Sequence, residues 1–433
     1  MIGSRCPTAC AIQLSLFVLV PGRLLGQAGP DAEARAPEAL LGIADDYRVP
    51  GLEDRRFTHA EYWEAVGSVL DEEGASDRVT VADVGYSVEG RSIRAVTLGQ
   101  GPVSVLLWSQ MHGDESTASM SLADIVHWWA ESPEDDPLRR RLADRLTITL
   151  LPMLNPDGAE RFMRYDALGV DVNRDARRLA TPEGRILKAV RDSLQADFGF
   201  NLHDQGSRTA GPDGKLVGIA LLAPAADEDR SWGLVRQRAR RLAGVIAAAL
   251  REEIPGRIAR YDDAFAPRAF GDNMQRWGTS TVLIESGALP DDPQKQELRR
   301  LNVLAILAAL ESIAGGSLDT AATTPYDDLP MNVDVTNDLL LIGGRVVMAG
   351  AVYPLDVAIV YDDAVARTGP RYGEIGDLAG VPALETVDVT GLYLHPELDG
   401  GILRRGGEVR LLVRRGSDPA SELVRRIPAL SED

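Results

Sequence analysis

Apolar and polar positions alternate in short blocks along most of the chain, and the period of the alternation changes from place to place. Residues 79–84 and 93–98 are apolar-rich runs on either side of Ser87-Val88-Glu89-Gly90-Arg91, which reads as a turn between neighbouring strands. Residues 103–108 are nearly continuously apolar, as expected of a strand covered on both faces. From about Glu115 to Glu131 the period becomes helical, with Met120, Ala123, Val126 and His127 on one side. Further strands are predicted over 146–151, 200–203, 217–222 and 280–284, and helices over 181–198, 231–253 and 294–313. Strands alternating with helices predict an α/β domain whose central sheet is mixed, mostly parallel and flanked by helices. In such sheets ligands bind beyond the carboxyl ends of the strands.

The pattern also divides the chain. Arg5 precedes an apolar run over 11–20, followed by Pro21-Gly22 and a small-x-small site at Gly26-Gln27-Ala28. This is the layout of a secretory signal peptide over 1–28, with an apolar run too short to span a bilayer comfortably. The expectation is an exported protein, periplasmic or secreted, with no stable membrane association once the signal is removed. A polar segment follows over 29–55, then the α/β domain over 56–314 and a linker over 315–334 that begins Gly315-Gly316-Ser317. From 335 to 433 the runs are short and β-type, separated by glycines and Asp/Pro turns, which predicts a small all-β accessory domain.

Composition narrows the chemistry. The chain has 433 residues, 45% of them hydrophobic, and a net charge of −19, which opposes non-specific binding to nucleic acid or anionic membranes. Both cysteines, Cys6 and Cys10, fall inside the signal segment. The mature chain therefore has no disulfide and no thiolate ligand, so a bound metal must be held by His, Asp or Glu.

Of five histidines, His112 and His203 fall where a parallel sheet places a site, just past the strands ending near Gln110 and Leu202. His112-Gly113-Asp114-Glu115 forms an H-x-x-E pair at a strand-to-helix junction, and two imidazoles plus one carboxylate make a catalytic zinc set with a fourth position open. Alone, the pair is a weak signal, because a solvated histidine beside a helix-starting acid gives the same letters. His59, His127 and His395 have no convergent partners in the sequence.

Other segments follow in order: Asn155-Pro156-Asp157-Gly158, then Val170-Asp171-Val172-Asn173-Arg174-Asp175, then His203, then Glu285 closing Thr281-Val282-Leu283-Ile284-Glu285. With Gly85 to Arg91 and the H-G-D-E segment, these resemble the zinc carboxypeptidases (funnelin-type metallocarboxypeptidases) over roughly 56–314. The resemblance implies a peptide substrate, Zn2+ as cofactor, and His112, Glu115 and His203 as its ligands. It implies that Asp171 fixes the tautomer of His112. Glu285 matches the general base for a zinc-activated water, and Arg164 the arginine that stabilises the oxyanion, with Arg161 as its rival. Asn173 and Arg174 match the pair that grips a terminal carboxylate.

The resemblance has gaps. Asp114 stands where the digestive members carry an arginine, and Asp175 follows Arg174 in place of asparagine. Tyr261 is the nearest candidate for the family's mobile tyrosine, and the residue at the base of the specificity pocket has no counterpart that aligns. The C-terminal segments 338–347 and 387–396 are similar to the small β-sandwich flanking amidohydrolase barrels, without the barrel. Besides a carboxypeptidase, the same site suits a zinc amidase or endopeptidase acting on cell-wall peptides or acylated amino acids, and a silent binding module is the reading from outside enzymes.

Overall fold

The computed structural model describes residues 35–70, 78–211, 214–334, 337–361, 367–381, 383–398 and 400–428. The candidate signal segment and both cysteines lie outside the described residues. Two helices come first, α1 (Pro37–Asp46) and α2 (His59–Leu70), followed by β1 (Val79–Tyr86), β2 (Ser92–Leu98) and β3 (Val103–Trp108). Next are α3 (Thr117–Glu131), α4 (Pro137–Arg145), β4 (Leu146–Leu151), α5 (Pro156–Glu160), α6 (Pro182–Leu194) and β5 (Phe198–Asp204). The α/β unit continues with β6 (Arg208–Ala210), β7 (Ile219–Leu222), α7 (Leu234–Leu250), β8 (Ile258–Arg260), α8 (Phe270–Arg276), β9 (Ser280–Ser286) and α9 (Gln296–Gly315).

Eight of these strands make one sheet in the order β1-β2-β4-β3-β5-β9-β7-β8. The middle four, β4, β3, β5 and β9, are mutually parallel, while β1, β2 and β7 join antiparallel. The expected mixed, mostly parallel sheet is therefore present. In β3, Val105 and Leu107 enter one core with α3, α7 and α9, whereas Leu106 and Trp108 enter a second core with α6 and α8. That period of two on a fully covered strand explains the unbroken apolar run in the sequence. Helix α9 is buried along almost its whole length, from Leu298 to Ala314, because other helices cover the side it turns away from the sheet.

Two connecting segments do more than their composition suggests. Within 29–55, expected as a polar lead-in, α1 buries Leu40, Leu41, Ile43 and Ala44. The fully buried Arg299 on α9 donates to both Asp124 carboxylate oxygens (2.7 and 2.5 Å), to Val49 O (2.9 Å) and to Leu52 O (2.8 Å). The chain after α1 is thus tied into the core by one guanidinium. Within 315–334, α10 (Thr324–Asp327) buries Tyr326, whose hydroxyl accepts from Ala223 N at 3.2 Å. It is followed by β10 (Asn332–Asp334), antiparallel to β6.

The C-terminal region is all β. One sheet joins β15 (Arg371–Gly376), β14 (Asp356–Val360), β11 (Asn337–Ile342) and β16 (Ala383–Asp388) in that order. The other joins β13 (Ala351–Pro354), β12 (Arg345–Met348), β17 (Tyr393–Pro396), β18 (Leu411–Arg414) and β19 (Leu423–Ile427). Leu339, Leu341 and Ile359 from the first share an apolar core with Val346, Leu394 and Leu411 from the second. Two sheets closing on one core is a sandwich arrangement.

Candidate metal centre and active site

The chain leaves β3 through a tight turn closed by Glu115 N donating to His112 O at 3.1 Å. Gln110 adopts φ 49°, unusual for a non-glycine residue, and its amide donates to Gly113 O at 3.0 Å. A Cβ on Gly113 would lie 1.9 Å from the backbone carbon of Gly158, so the H-G-D-E turn presses directly on the N-P-D-G helix α5. Asn155 caps α5 through its side chain, which accepts from Gly158 N at 2.9 Å. The two motifs set each other's position, which neither motif indicates by itself.

This turn aims His112 and Glu115 at the end of β5. His112 Nδ1 lies 2.7 Å from Glu115 Oε1, and His203 Nδ1 lies 2.6 Å from Glu115 Oε2. All three side chains are buried, and one donor atom from each falls within 4.8 Å of the others. The outward nitrogens are also held. His112 Nε2 is 3.0 Å from Asp171 Oδ1, and His203 Nε2 is 3.3 Å from the Asn173 amide. Asp204 N donates to Glu115 Oε2 at 3.2 Å.

Protonation follows from this packing. Burial opposes charge on His112, but the Glu115 carboxylate and the Asp171 hydrogen bond raise it to about 9. Burial likewise works against an ionised Glu115, yet the two imidazoles hold it well below the ordinary carboxylate range. His203 is lowered, chiefly by burial. The donor set therefore fits a divalent metal: two imidazole nitrogens and an ionised carboxylate face one point, and a metal binding there displaces protons.

Glu285 stands opposite His203 in the β5–β9 register, so the two side chains leave the same face at adjacent strand ends. Burial, with the Glu115 carboxylate adding to it, pushes Glu285 up to about 8. Arg164 donates to Asp171 Oδ2 through Nε and Nη2 (3.2 and 2.9 Å) and reaches Glu115 Oε1 with Nη1 at 3.3 Å. Arg161 turns elsewhere, to Asp157 O and Glu89. Of the two arginines left open by the sequence, the structure brings only Arg164 to the metal ligands.

One cleft of about 680 Å³ is lined by His112, Glu115, His203, Glu285, Arg164, Asn173 and Arg174. Arg174 is exposed, with one N–H on Asn173 O at 2.9 Å. Tyr261 lines the same cleft, its hydroxyl raised by burial and by Glu285, with the Arg208 guanidinium 5.3 Å from its ring. Asp114 faces the cleft with one buried oxygen lacking a partner. The other histidines sit apart, each with one ring nitrogen at a backbone carbonyl: His59 at Ser92, His127 at Tyr47 and His395 at Gly416.

Several residues of the cleft escaped the sequence reading. Lys295 is buried and donates to Asp204 Oδ2 (3.1 Å) and to Ser286 O (3.2 Å), tying the turn after β9 to the residue after His203. Arg55 and Arg56 arrive from the N-terminal segment, Asp272 from α8 and Thr368 from the β14–β15 connection. Only the scarcity of lysine could have drawn attention to Lys295. The others carry no local signal.

Three side chains placed so that they could hold one metal, at the carboxyl ends of parallel strands, define a candidate mononuclear centre. The sequence profile described as zinc carboxypeptidase matches residues 70–202, an interval that carries His112, Glu115, Arg164, Asp171, Asn173 and Arg174 and ends just before His203. Carboxypeptidase M of Mus musculus is 30% identical over 121 residues, covering 26% of this chain and 27% of that protein. An uncharacterised protein of Zymomonas mobilis is 29% identical over 132 residues, 28% of this chain and 32% of its own length. The chain thus spans about a third or less of the length of these curated relatives. The crystal structure of a metallo-carboxypeptidase from Burkholderia cenocepacia aligns over 59% of this chain and 70% of its own, with 21% identity and a TM-score of 0.46. The resemblance to zinc carboxypeptidases read from the residue pattern stands on an independent match, and zinc is the metal of that family.

Proposed function

We propose that this protein is an exported zinc metallocarboxypeptidase that hydrolyses C-terminal peptide bonds, with Glu285 as general base. The observation that carries the reading is the β5–β9 register, which sets Glu285 beside His203 at the mouth of the three-ligand cluster. Zinc held by His112, Glu115 and His203 would supply a Lewis acid for carbonyl and water, and a positive field favouring ionised Glu285. Glu285 takes the proton of the attacking water and returns it to the leaving nitrogen. Arg164, oriented by its two bonds to Asp171, offers its cation to the oxyanion that develops on the scissile carbonyl. Asp171 also holds the outward nitrogen of His112 and so selects its tautomer. Arg174 has most of its fork uncommitted, which suits a planar terminal carboxylate, with Asn173 beside it.

Export rests on the signal-like segment, and among the described residues no helix is long and apolar enough to cross a membrane. The expected mature N-terminus follows Ala28, readable by sequencing the protein recovered outside the cytoplasm. The activity is tested with a peptide and its C-terminally amidated twin. Cleavage of the free acid alone, lost with a chelator and restored by zinc, is the expected result. Equal cleavage of both would overturn the carboxypeptidase reading and favour an amidase or endopeptidase.

A further inference from the structure

We propose that Arg56, seated on the ring of Phe162 at the rim of the cleft, anchors a subsite for a carboxylate carried by the substrate upstream of the scissile bond. This rests on the carboxypeptidase reading, because it assumes that peptide enters the cleft past the metal ligands.

The contacts around the cleft order its two sides. From Glu115, one path runs through His203 to Asn173, whose side chain accepts from Phe270 N at 2.9 Å, and so to α8. On that side Leu222, Pro224, Ala269 and Gly271 line the cleft together with the buried Asp272 of α8, leaving room for a terminal side chain. The other path runs through His112 and Asp171 to Arg164 and its near neighbour Phe162. The chain upstream of the scissile bond is left with the second side.

Phe162 is held there at a cost. Phe162 N donates to Ala159 O (3.0 Å) and Met163 N to Gly158 O (2.9 Å), the paired bonds that close a helix with a left-handed residue. Phe162 takes that position at φ 48°, where glycine is the usual occupant and a side chain costs roughly 1 kcal/mol or more. The ring gained by that strain carries two guanidinium groups, Arg55 at 5.5 Å and Arg56 at 4.8 Å from its centroid. The backbone of this arm is fixed as well. Ser116 Oγ, next to Glu115, donates to Arg55 O at 2.6 Å, Arg55 N to Gln294 at 3.0 Å and Arg56 N to Asp54 at 2.8 Å.

With Arg174 assigned to the terminal carboxylate, charge around the cleft leaves Arg56 for the upstream side. Arg164 is paired with Asp171 and Glu115, Arg208 with Asp334 and Lys295 with Asp204. Arg56 is exposed and, among the described residues, has no carboxylate partner. Asp114, next to Glu115, also lines the cleft and brings a carboxyl rather than a cation, so the unpaired positive charge at the Phe162 rim is that of Arg56. On a chain of net charge −19, such a rim is where an acidic peptide is gathered.

The test uses the zinc-loaded Glu285→Gln protein, so that affinity is read without turnover. A peptide with a free C-terminus is compared by calorimetry with variants in which one Glu is moved through the three positions upstream of the scissile bond of an otherwise Gln-containing parent. One position is expected to bind about 10-fold more tightly at low salt, with the gain shrinking as salt rises. Adding Arg56→Gln should bring that ratio towards one. Phe162→Gly, which removes the platform and relieves the backbone, should do the same without lowering the melting temperature. Affinities that ignore the position of Glu, a ratio kept by both variants, or no binding of any peptide each overturn the subsite. Turnover by the wild-type protein separates the two readings: cleavage without a Glu preference rejects the subsite and keeps the activity. A Glu preference in binding without any cleavage does the reverse.

Discussion

The two regions of this molecule bury different things. In the C-terminal sandwich the only buried polar residues among those described are Asn337 and His395, and the interior is otherwise apolar. The α/β unit buries Asp124, Glu183, Arg236, Lys295, Arg299 and the three metal ligands, most within hydrogen-bonded groups. Burying charge is costly unless it is paired, so its concentration in one region marks where the chain gives up stability for a positioned site. Among the described residues the sandwich carries no such load and reaches the cleft only through Thr368.

The comparison can be broken at four points. Glu285→Gln is expected to lower kcat by roughly 10²–10⁴-fold while bound zinc, measured by metal analysis, stays stoichiometric. A comparable loss from Leu411→Ala, in the middle of the sandwich core, would instead place chemistry in the β region. Arg299→Met should cost about 3–5 kcal/mol in urea unfolding, because it strands the Asp124 carboxylate and two backbone carbonyls. Pairing it with Asp124→Leu removes the stranded carboxylate but orphans Val49 N, which donates to it at 2.8 Å, so only part of that loss should return.

Glu183 probes the same load through pH. It is fully buried in the first turn of α6 with neither carboxylate oxygen hydrogen-bonded, and burial, with Asp166 and Asp157 nearby, raises it to about 7 from an ordinary 4.5. The folded protein therefore holds this proton more tightly than the unfolded chain. Its contribution to stability is full below about pH 4.5 and is lost as pH rises through about 7. Glu183→Gln should be neutral near pH 4 and stabilising by up to roughly 3 kcal/mol at pH 8, with the difference growing between those limits. A pH-independent effect would mean the carboxyl has a partner in solution. The smallest effect is expected in the sandwich: His395→Phe removes one bond to Gly416 O and should cost no more than about 1 kcal/mol.

Strong periodicity made the central strands and long helices legible. Predicted strands 103–108 and 146–151 coincide with β3 and β4, and the helix predicted over 294–313 with most of α9. Short elements were not legible. Helix α1 has ten residues and α10 four, lengths at which packing rather than propensity decides. Hence 29–55 and 315–334 read as lead-in and linker, although Arg299 and Ala223 tie them to the α/β unit.

The candidate site divides in the same way. His112 and Glu115 share one turn, and Asp171, His203 and Glu285 each sit at a recognisable strand end or motif, so the sequence, read with the family resemblance, marked the candidate metal set, the carboxylate behind it and the candidate base that the structure brings together. Residue order could not determine which arginine reaches the metal ligands, because Arg161 and Arg164 share one loop and only its fold turns one inward. Nor could it place Arg55 and Arg56 beside Phe162, Lys295 under Asp204 or Thr368 at the mouth. Those contacts join segments far apart in the chain, and only burial of the shared core brings them within hydrogen-bond or ring-contact range.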